Sequence, residues 1–299
     1  MSNELSPAAA GALYVVATPI GNLGDLSVRA RDVLAAADLI ACEDTRTTRP
    51  LLALHGITTR TLALHEHNER AAGAKLIEAM LAGKSVALVS DAGTPAVSDP
   101  GALVVAAAHA AGIRVVPVPG PSAAIAAYCA SGFLADRFVF AGFLPASAGA
   151  RRKALAGLDA DCPIILYEAP HRVLATVEDL VAAYGGEREL AIARELTKKF
   201  EEVARLPLGD AQAWLGAHAH RQHGEFVLVV GPRAPVVAEH GAEGDRILGV
   251  LLESLPVSEA ARIAARLTGG SKNDLYTRAL ALAAVAADGA KAPAVRPPD

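Results

Sequence analysis

Cysteines, aromatic residues and long apolar runs are all scarce in this chain of 299 residues. The cysteines are Cys42, Cys129 and Cys162, far apart and with no CxxC pair. So odd and sparse a set argues for a reducing, cytoplasmic setting and against a zinc site. Aromatic residues make up only 4%. A core must therefore be assembled from Val, Leu, Ile and Ala, a mix that suits buried parallel strands flanked by Ala-rich helices. No apolar run reaches the ~20 residues that a membrane span requires, so no membrane partner is expected. Residues 1–11 carry Glu4 and no basic stretch ahead of an apolar one, so no secretion signal is expected there. The common phosphate-binding patterns GxxxxGKS/T and GxGxxG are also missing. The net charge of −4 falls short of the strongly basic balance of a nucleic-acid coat protein. It does not exclude an enzyme acting on nucleic acid, which needs only local clusters of cations.

What is present is organisation. The length suits two packed domains rather than one small core. In the first half, strands are expected at 13–17, 39–42, 60–64, 85–90 and 114–118. Helices are expected at 27–37, capped by Ser27, and at 68–82, 102–111 and 122–131. This alternation implies a parallel sheet with helices on both faces. The second half differs. Strands at 138–142, 163–168 and 189–194, an antiparallel partner at 201–206 and a last strand at 225–230 surround one helix at 171–184 that Pro170 opens. The expected fold class is α/β: a parallel-sheet domain at 12–133 and a mixed-sheet domain at 134–231. A linker at 232–243 and a helical module at 244–287 follow, with helices at 245–254, 258–267 and 274–286. Residues 1–11 and 288–299 are expected to be flexible.

Three loops after strands of the first sheet share an unusual composition. They are Thr18-Pro-Ile-Gly-Asn-Leu-Gly-Asp25, Ser90-Asp-Ala-Gly-Thr-Pro-Ala-Val-Ser-Asp-Pro-Gly101 and Val118-Pro-Gly-Pro-Ser-Ala123. Glycine allows backbone to approach a ligand closely, and proline holds a loop in one shape. In an open parallel sheet such loops sit where ligands bind. Any one of them reads as an ordinary turn; three together read as a rigid pocket. Asp91 suits a ligand carrying an ammonium group or ribose hydroxyls.

These loops, with Cys42-Glu-Asp-Thr-Arg46, His65-Glu-His-Asn68, Tyr167-Glu-Ala-Pro-His-Arg172, Arg194-Glu-Leu-Thr-Lys198 and Gly224-Glu-Phe-Val, closely resemble the ribosomal RNA small-subunit methyltransferase I family. That family belongs to the tetrapyrrole-methylase superfamily. The resemblance runs from about Leu13 to about Leu282. One departure is Ala17, where many relatives have proline. The resemblance implies methyl transfer from S-adenosylmethionine to the 2′-oxygen of a cytidine in the decoding region of 16S ribosomal RNA. It further implies two α/β domains with the cofactor in the cleft between them, a homodimer, and the small ribosomal subunit as partner. Residues 258–282 resemble the family's C-terminal helical module, with Lys272 and Arg278 expected to be exposed. A capping hairpin and an RNA-contacting element both remain open for it.

The resemblance places cofactor contacts at Pro19, Asp91, Ala92, Gly93, Val97, Ser122, Ala123, Tyr167 and Leu196. Candidates for the chemistry are Glu43, Asp44, His65, Arg194, Glu195 and Lys198. The base is open among Glu43, Asp44, His65 and Glu195, with deprotonation to solvent as the remaining route. Arg46, Arg172 and the cluster Arg151-Arg152-Lys153 are candidates for RNA phosphates. Arg194 and Glu195 also read as a structural ion pair, and Lys198-Lys199 as a solvated pair. His65 and His67 point the same way on an extended segment, but no third ligand is near in sequence, so no metal is expected. Two other functions compete. One is methylation of a tetrapyrrole or corrin precursor or of a translation factor; the other is non-catalytic binding of S-adenosylmethionine.

Overall fold

The computed structural model describes residues 9–65, 67–159, 161–233 and 240–289. The expected N-terminal tail, the linker and the C-terminal tail fall largely outside them. The described residues up to Arg233 form one compact unit, and those from His240 on form a second.

In chain order the first sheet comprises β1 (Ala12–Val16), β2 (Leu39–Cys42), β3 (Thr61–Ala63), β4 (Val86–Val89) and β5 (Arg114–Val118). They pair in the order β3-β2-β4-β1-β5, all parallel. The helices α1 (Val28–Ala36), α2 (Thr45–Leu54), α3 (Glu69–Leu81) and α4 (Ala102–Ala110) connect them, and α5 (Ala123–Ser131) leads on to the second sheet. Side chains alternate across a strand. Ala87 and Val89 of β4 therefore pack with Val33 and Leu34 of α1, while Val86 and Leu88 pack with Leu76 of α3 and Val104 of α4. Burial on both faces is why β4 reads as an unbroken apolar run.

The second sheet comprises β6 (Val139–Phe143), β7 (Ile164–Glu168), β8 (Glu189–Arg194), β9 (Glu202–Pro207) and β10 (Phe226–Val230), in the order β6-β7-β10-β8-β9. β6 and β7 are parallel and the other pairings antiparallel. The helices α6 (Ala148–Ala156), α7 (Val173–Tyr184) and α8 (Ala211–Gly216) belong to this half. One face packs on α7 through Val173, Val177 and Leu180. The other face, with Ile165, Ala191, Ala193 and Val229, is covered by Ala124 and Ala127 of α5. The expected boundary at residue 134 thus cuts α5 from the sheet it packs on.

Three helices were not legible in the sequence. In α2, three threonines and Pro50 argue against a helix. It is held by the Asp44 cap, whose carboxylate accepts from Arg46 N at 2.7 Å, and by burial of Thr48, Leu51 and Leu52. In α6 a run of alanine, glycine and basic residues forms a helix whose buried face is Arg151 and Leu155. The short α8 buries Ala211 and Leu215.

The second unit has α9 (His240–Leu252), α10 (Val257–Thr268) and α11 (Lys272–Gly289). Small side chains let them pack closely: Ala260, Ala261, Ala264 and Ala279 are buried with Leu248 and Leu275. Gly269 ends α10 in the left-handed region, at φ +72°. Lys272 is exposed as expected. Arg278 is exposed as well, and it makes a bidentate pair with Asp245 at 2.8 and 2.7 Å. Among the described residues no helix is long and apolar enough to cross a membrane.

Candidate active site

The carboxyl ends of β1, β4 and β5 lie side by side because these strands are neighbours. The loops that follow are tied to one another. Thr18 and Gly93 exchange two backbone hydrogen bonds, at 2.9 and 3.0 Å. Thr94 Oγ1 donates to Pro121 O at 3.0 Å. Gly93 holds φ +80°, and a Cβ there would come 3.3 Å from Ile20 Cγ2, so a side chain would push the two loops apart. At the far end of the second loop, Gly101 has no side chain with which to cap α4. Buried Glu69 does so instead: its Oε1 accepts from Gly101 N at 2.8 Å and Leu103 N at 3.0 Å. One wall of a cavity is thereby fixed.

The second sheet supplies the opposite wall, from the carboxyl ends of β7 and β8 and the amino end of antiparallel β10. Tyr167 Oη reaches across and accepts from Ala124 N at 3.3 Å. Burial pushes the Tyr167 phenol up, so it stays protonated. The cavity between the walls has a volume of 610 Å³. Such a size, with apolar walls and a few convergent polar groups, fits a small organic ligand.

Asp91, Ala92, Gly93, Val97, Ser122, Ala123, Tyr167 and Leu196 all line the cavity. Pro19 is buried behind it, and the neighbouring Ile20 lines it instead. Of the residues expected to carry chemistry, only Glu43 lines it. The sequence reading missed Asp99, Glu168, His171 and Glu225, although each stands inside a motif it had singled out. It also missed Phe143, which no motif marks.

The cavity floor is acidic. One Asp91 carboxylate oxygen accepts from Asp44 N at 3.0 Å. Burial, then repulsion from Asp91 and Asp99, pushes the Glu43 carboxyl up. Burial, with Asp91 as a further source of repulsion, does the same to Asp99. A cation placed beside Asp91 would relieve the repulsion that lifts Glu43 and Asp99.

The other candidates are engaged elsewhere. Asp44 is held to about 2 by the Arg46 guanidinium, which binds it at 2.6 Å. Burial works against the Glu195 carboxylate, but the Glu225 amide and the Lys198 ammonium outweigh it and hold its pKa low. Lys198 Nζ bridges Glu195 Oε1 and Glu225 Oε2 at 2.9 and 2.8 Å. Glu195 therefore pairs with Lys198 rather than Arg194, whose buried side chain donates to His223 O at 3.3 Å. His65 is exposed, its ring 6.1 Å from that of His67. Glu66 between them lies outside the described residues.

Two expected phosphate contacts, Arg151 and Arg172, need correction. Arg151 is buried against Asp179 at 2.6 Å, and Arg152 binds the other oxygen of the same carboxylate at 2.8 Å. Arg172 pairs with Glu168 at 3.1 Å and donates to Leu144 O, which spends its fork inside the protein. Arg152, though paired with Asp179, is exposed, as are Lys153 and Arg46.

Residues 12–212 match the family model described as tetrapyrrole (corrin/porphyrin) methylases. Residues 238–283 match the model described as the RsmI C-terminal HTH domain. A ribosomal RNA small subunit methyltransferase I from Mesorhizobium japonicum is 52% identical, over 93% of this chain and 94% of its own. One from Pseudomonas aeruginosa is 50% identical, over 91% of this chain and 97% of its own. Among solved structures, uroporphyrin-III C-methyltransferase from Thermus thermophilus, complexed with S-adenyl homocysteine, superposes with a TM-score of 0.51 at 17% identity. That match covers 74% of this chain and 97% of the other and shows a shared fold. Identity of this order along nearly the whole length, with both family models matched in sequence order, shows that the chain belongs to the ribosomal RNA small subunit methyltransferase I family, on the tetrapyrrole-methylase fold.

Proposed function

We propose that the protein is a cytoplasmic enzyme that transfers a methyl group from S-adenosylmethionine to the 2′-oxygen of a cytidine in the decoding region of 16S ribosomal RNA, within the small subunit. The observation that carries this reading is the acidic cavity floor of Glu43, Asp91 and Asp99 beneath apolar walls. A ligand with a sulfonium, an ammonium and ribose hydroxyls offsets that charge, and its adenine suits the aliphatic side made by Val97, Leu196 and Val227. The relatives' names supply the RNA.

When bound, S-adenosylmethionine supplies an electrophilic methyl on a positively charged sulfur. The protein has to hold the nucleophile in line, exclude water and accept a proton. Val97, Leu196 and Val227 would keep water from the cofactor, and Asp91 and Asp99 would hold its positive charge. Glu43 takes the proton that the 2′-hydroxyl gives up. Its raised pKa makes it a stronger base than Asp44 or Glu195, both of which are committed to cations.

The test incubates the protein with labelled S-adenosylmethionine and small subunits lacking the modification, then maps the label. Label on a 2′-oxygen in the decoding region is expected. Asp91→Ala should weaken cofactor binding about tenfold to a hundredfold, the range for a lost hydrogen bond to a charged group. Bound cofactor with no label on RNA would turn the substrate toward tetrapyrrole precursors or a translation factor.

The homodimer belongs to the same proposal. Ile125 and Phe138 are partly exposed in an apolar hollow that also includes Pro119 and Phe140, and Leu134, between them in sequence, is 93% exposed. Such a surface suits a second copy of the chain. Sedimentation should give a dimer at micromolar protein and a monomer for Leu134→Asp with Phe138→Asp; a monomeric parent would sink the idea.

A further inference from the structure

The turn that leaves β8 carries a feature that the chemistry does not use. Its backbone is forced: Glu195 has φ 51° and Thr197 has φ 65°. Branched residues rarely enter that region, and such outliers persist where the surroundings over-determine them, often at ligand clamps. Here the surroundings are explicit. Glu195 N donates to Glu225 O at 2.9 Å, Lys198 N to Glu195 O at 3.0 Å, and Glu201 N to Lys198 O at 3.1 Å. Thr197 N donates to Glu201 Oε2 at 2.6 Å. The first-sheet loop also leans on this turn, since a Cβ on Gly21 would come 2.4 Å from Lys198 Cγ. The turn is thus a rigid frame beside the cavity, which it borders through Leu196.

What the frame displays is Phe200. The residue is 64% exposed, with Lys199 Nζ 5.4 Å from its ring centroid. An apolar ring held in water beside an ammonium matches a nucleotide, whose base stacks on the ring while its phosphate meets the amine. Three residues on from the cavity-lining Glu43, Arg46 is exposed beside Asp44, whose amide binds Asp91. Cations therefore border an acidic floor. A polyanion is held at the rim, and only an uncharged ribose is admitted below it.

We propose that Phe200 and Lys199 form a stacking platform for a base next to the modified nucleotide, in single-stranded RNA. The inference rests on the reading of RNA as substrate. Single strands are required because paired bases cannot splay onto a ring.

The test is steady-state methylation of small subunits lacking the modification. Phe200→Ala should raise the KM for subunits on the order of tenfold, the scale of one lost base stack. Its kcat and its cofactor Kd should hold, because the ring lies outside the cavity. Phe200→Trp should restore KM and Phe200→Leu should not. Lys199→Ala should flatten the dependence of subunit binding on salt. Labelling with an unchanged KM in Phe200→Ala, or rescue by Phe200→Leu, would overturn the platform and leave the functional reading intact. A parent enzyme that labels no RNA would overturn both.

Discussion

Glu43→Gln is expected to lower kcat on the order of a hundredfold to ten-thousandfold, the usual contribution of a positioned general base. Binding of cofactor should survive, since Asp91 and Asp99 remain to face the cation. The pH profile separates this role from a merely structural one. A base works when deprotonated, so activity is lost as pH falls through its pKa. Burial and the neighbouring Asp91 and Asp99 place that pKa above the usual carboxylate range. The acidic limb of kcat/KM, which reports the free enzyme, therefore sits higher than an ordinary glutamate would put it. A bound cation pulls the pKa back down, so the limb of kcat should lie at lower pH than that of kcat/KM. In Glu43→Gln both limbs should vanish. A variant with nearly full kcat would mean that the proton leaves directly to solvent.

The legible part of this protein is the part in which local sequence and tertiary burial agree. β4 is apolar on both faces and is buried on both, so its sequence alone announces it. The loop from Ser90 to Gly101 follows it, and its glycines and prolines mark the cavity wall before any packing is known. Legibility fails where a distant partner decides. Nothing within α5 says that its Ala124 and Ala127 cover the second sheet rather than the first. The helix α2 forms against its threonines because one cap and one buried stripe outweigh weak propensities. Charged residues were the hardest to assign. The sequence shows that Glu43, Asp44 and Glu195 are carboxylates near the site. Only their surroundings separate them: Arg46 binds Asp44, Lys198 binds Glu195, and Glu43 has the Asp91 amide and the like charges of Asp91 and Asp99 beside it.

Arg151 gives the same lesson in energetic form, and Asp179→Ala is expected to lower stability by about 3–5 kcal/mol, the range for breaking a buried ion pair. The two side chains are 5% and 6% exposed. Without the carboxylate, the Arg151 guanidinium keeps only Ala146 O at 3.2 Å and Ala175 O at 3.5 Å, too little to offset its desolvation. Thermal unfolding should shift down by about 10 °C, at the 2–4 °C per kcal/mol typical of this size. The pair is dispensable as long as both charges go together: Arg151→Met with Asp179→Leu should recover most of the loss. Acid tests the same contact. Burial opposes the Asp179 carboxylate, but Arg152 and Arg151 outweigh it and hold its pKa below the ordinary value. Its contribution is therefore complete above the usual carboxylate range and is lost as pH falls through the depressed value. A charge reversal across 151–153 would consequently abolish activity by unfolding the second sheet's helix layer, whatever touches RNA there. Lys153→Glu is the change that isolates an RNA contact, because Lys153 alone of the three is exposed without contacting Asp179. An Asp179→Ala protein that melts with the parent would show that Arg151 has another partner, and would return it to the set that can face phosphate.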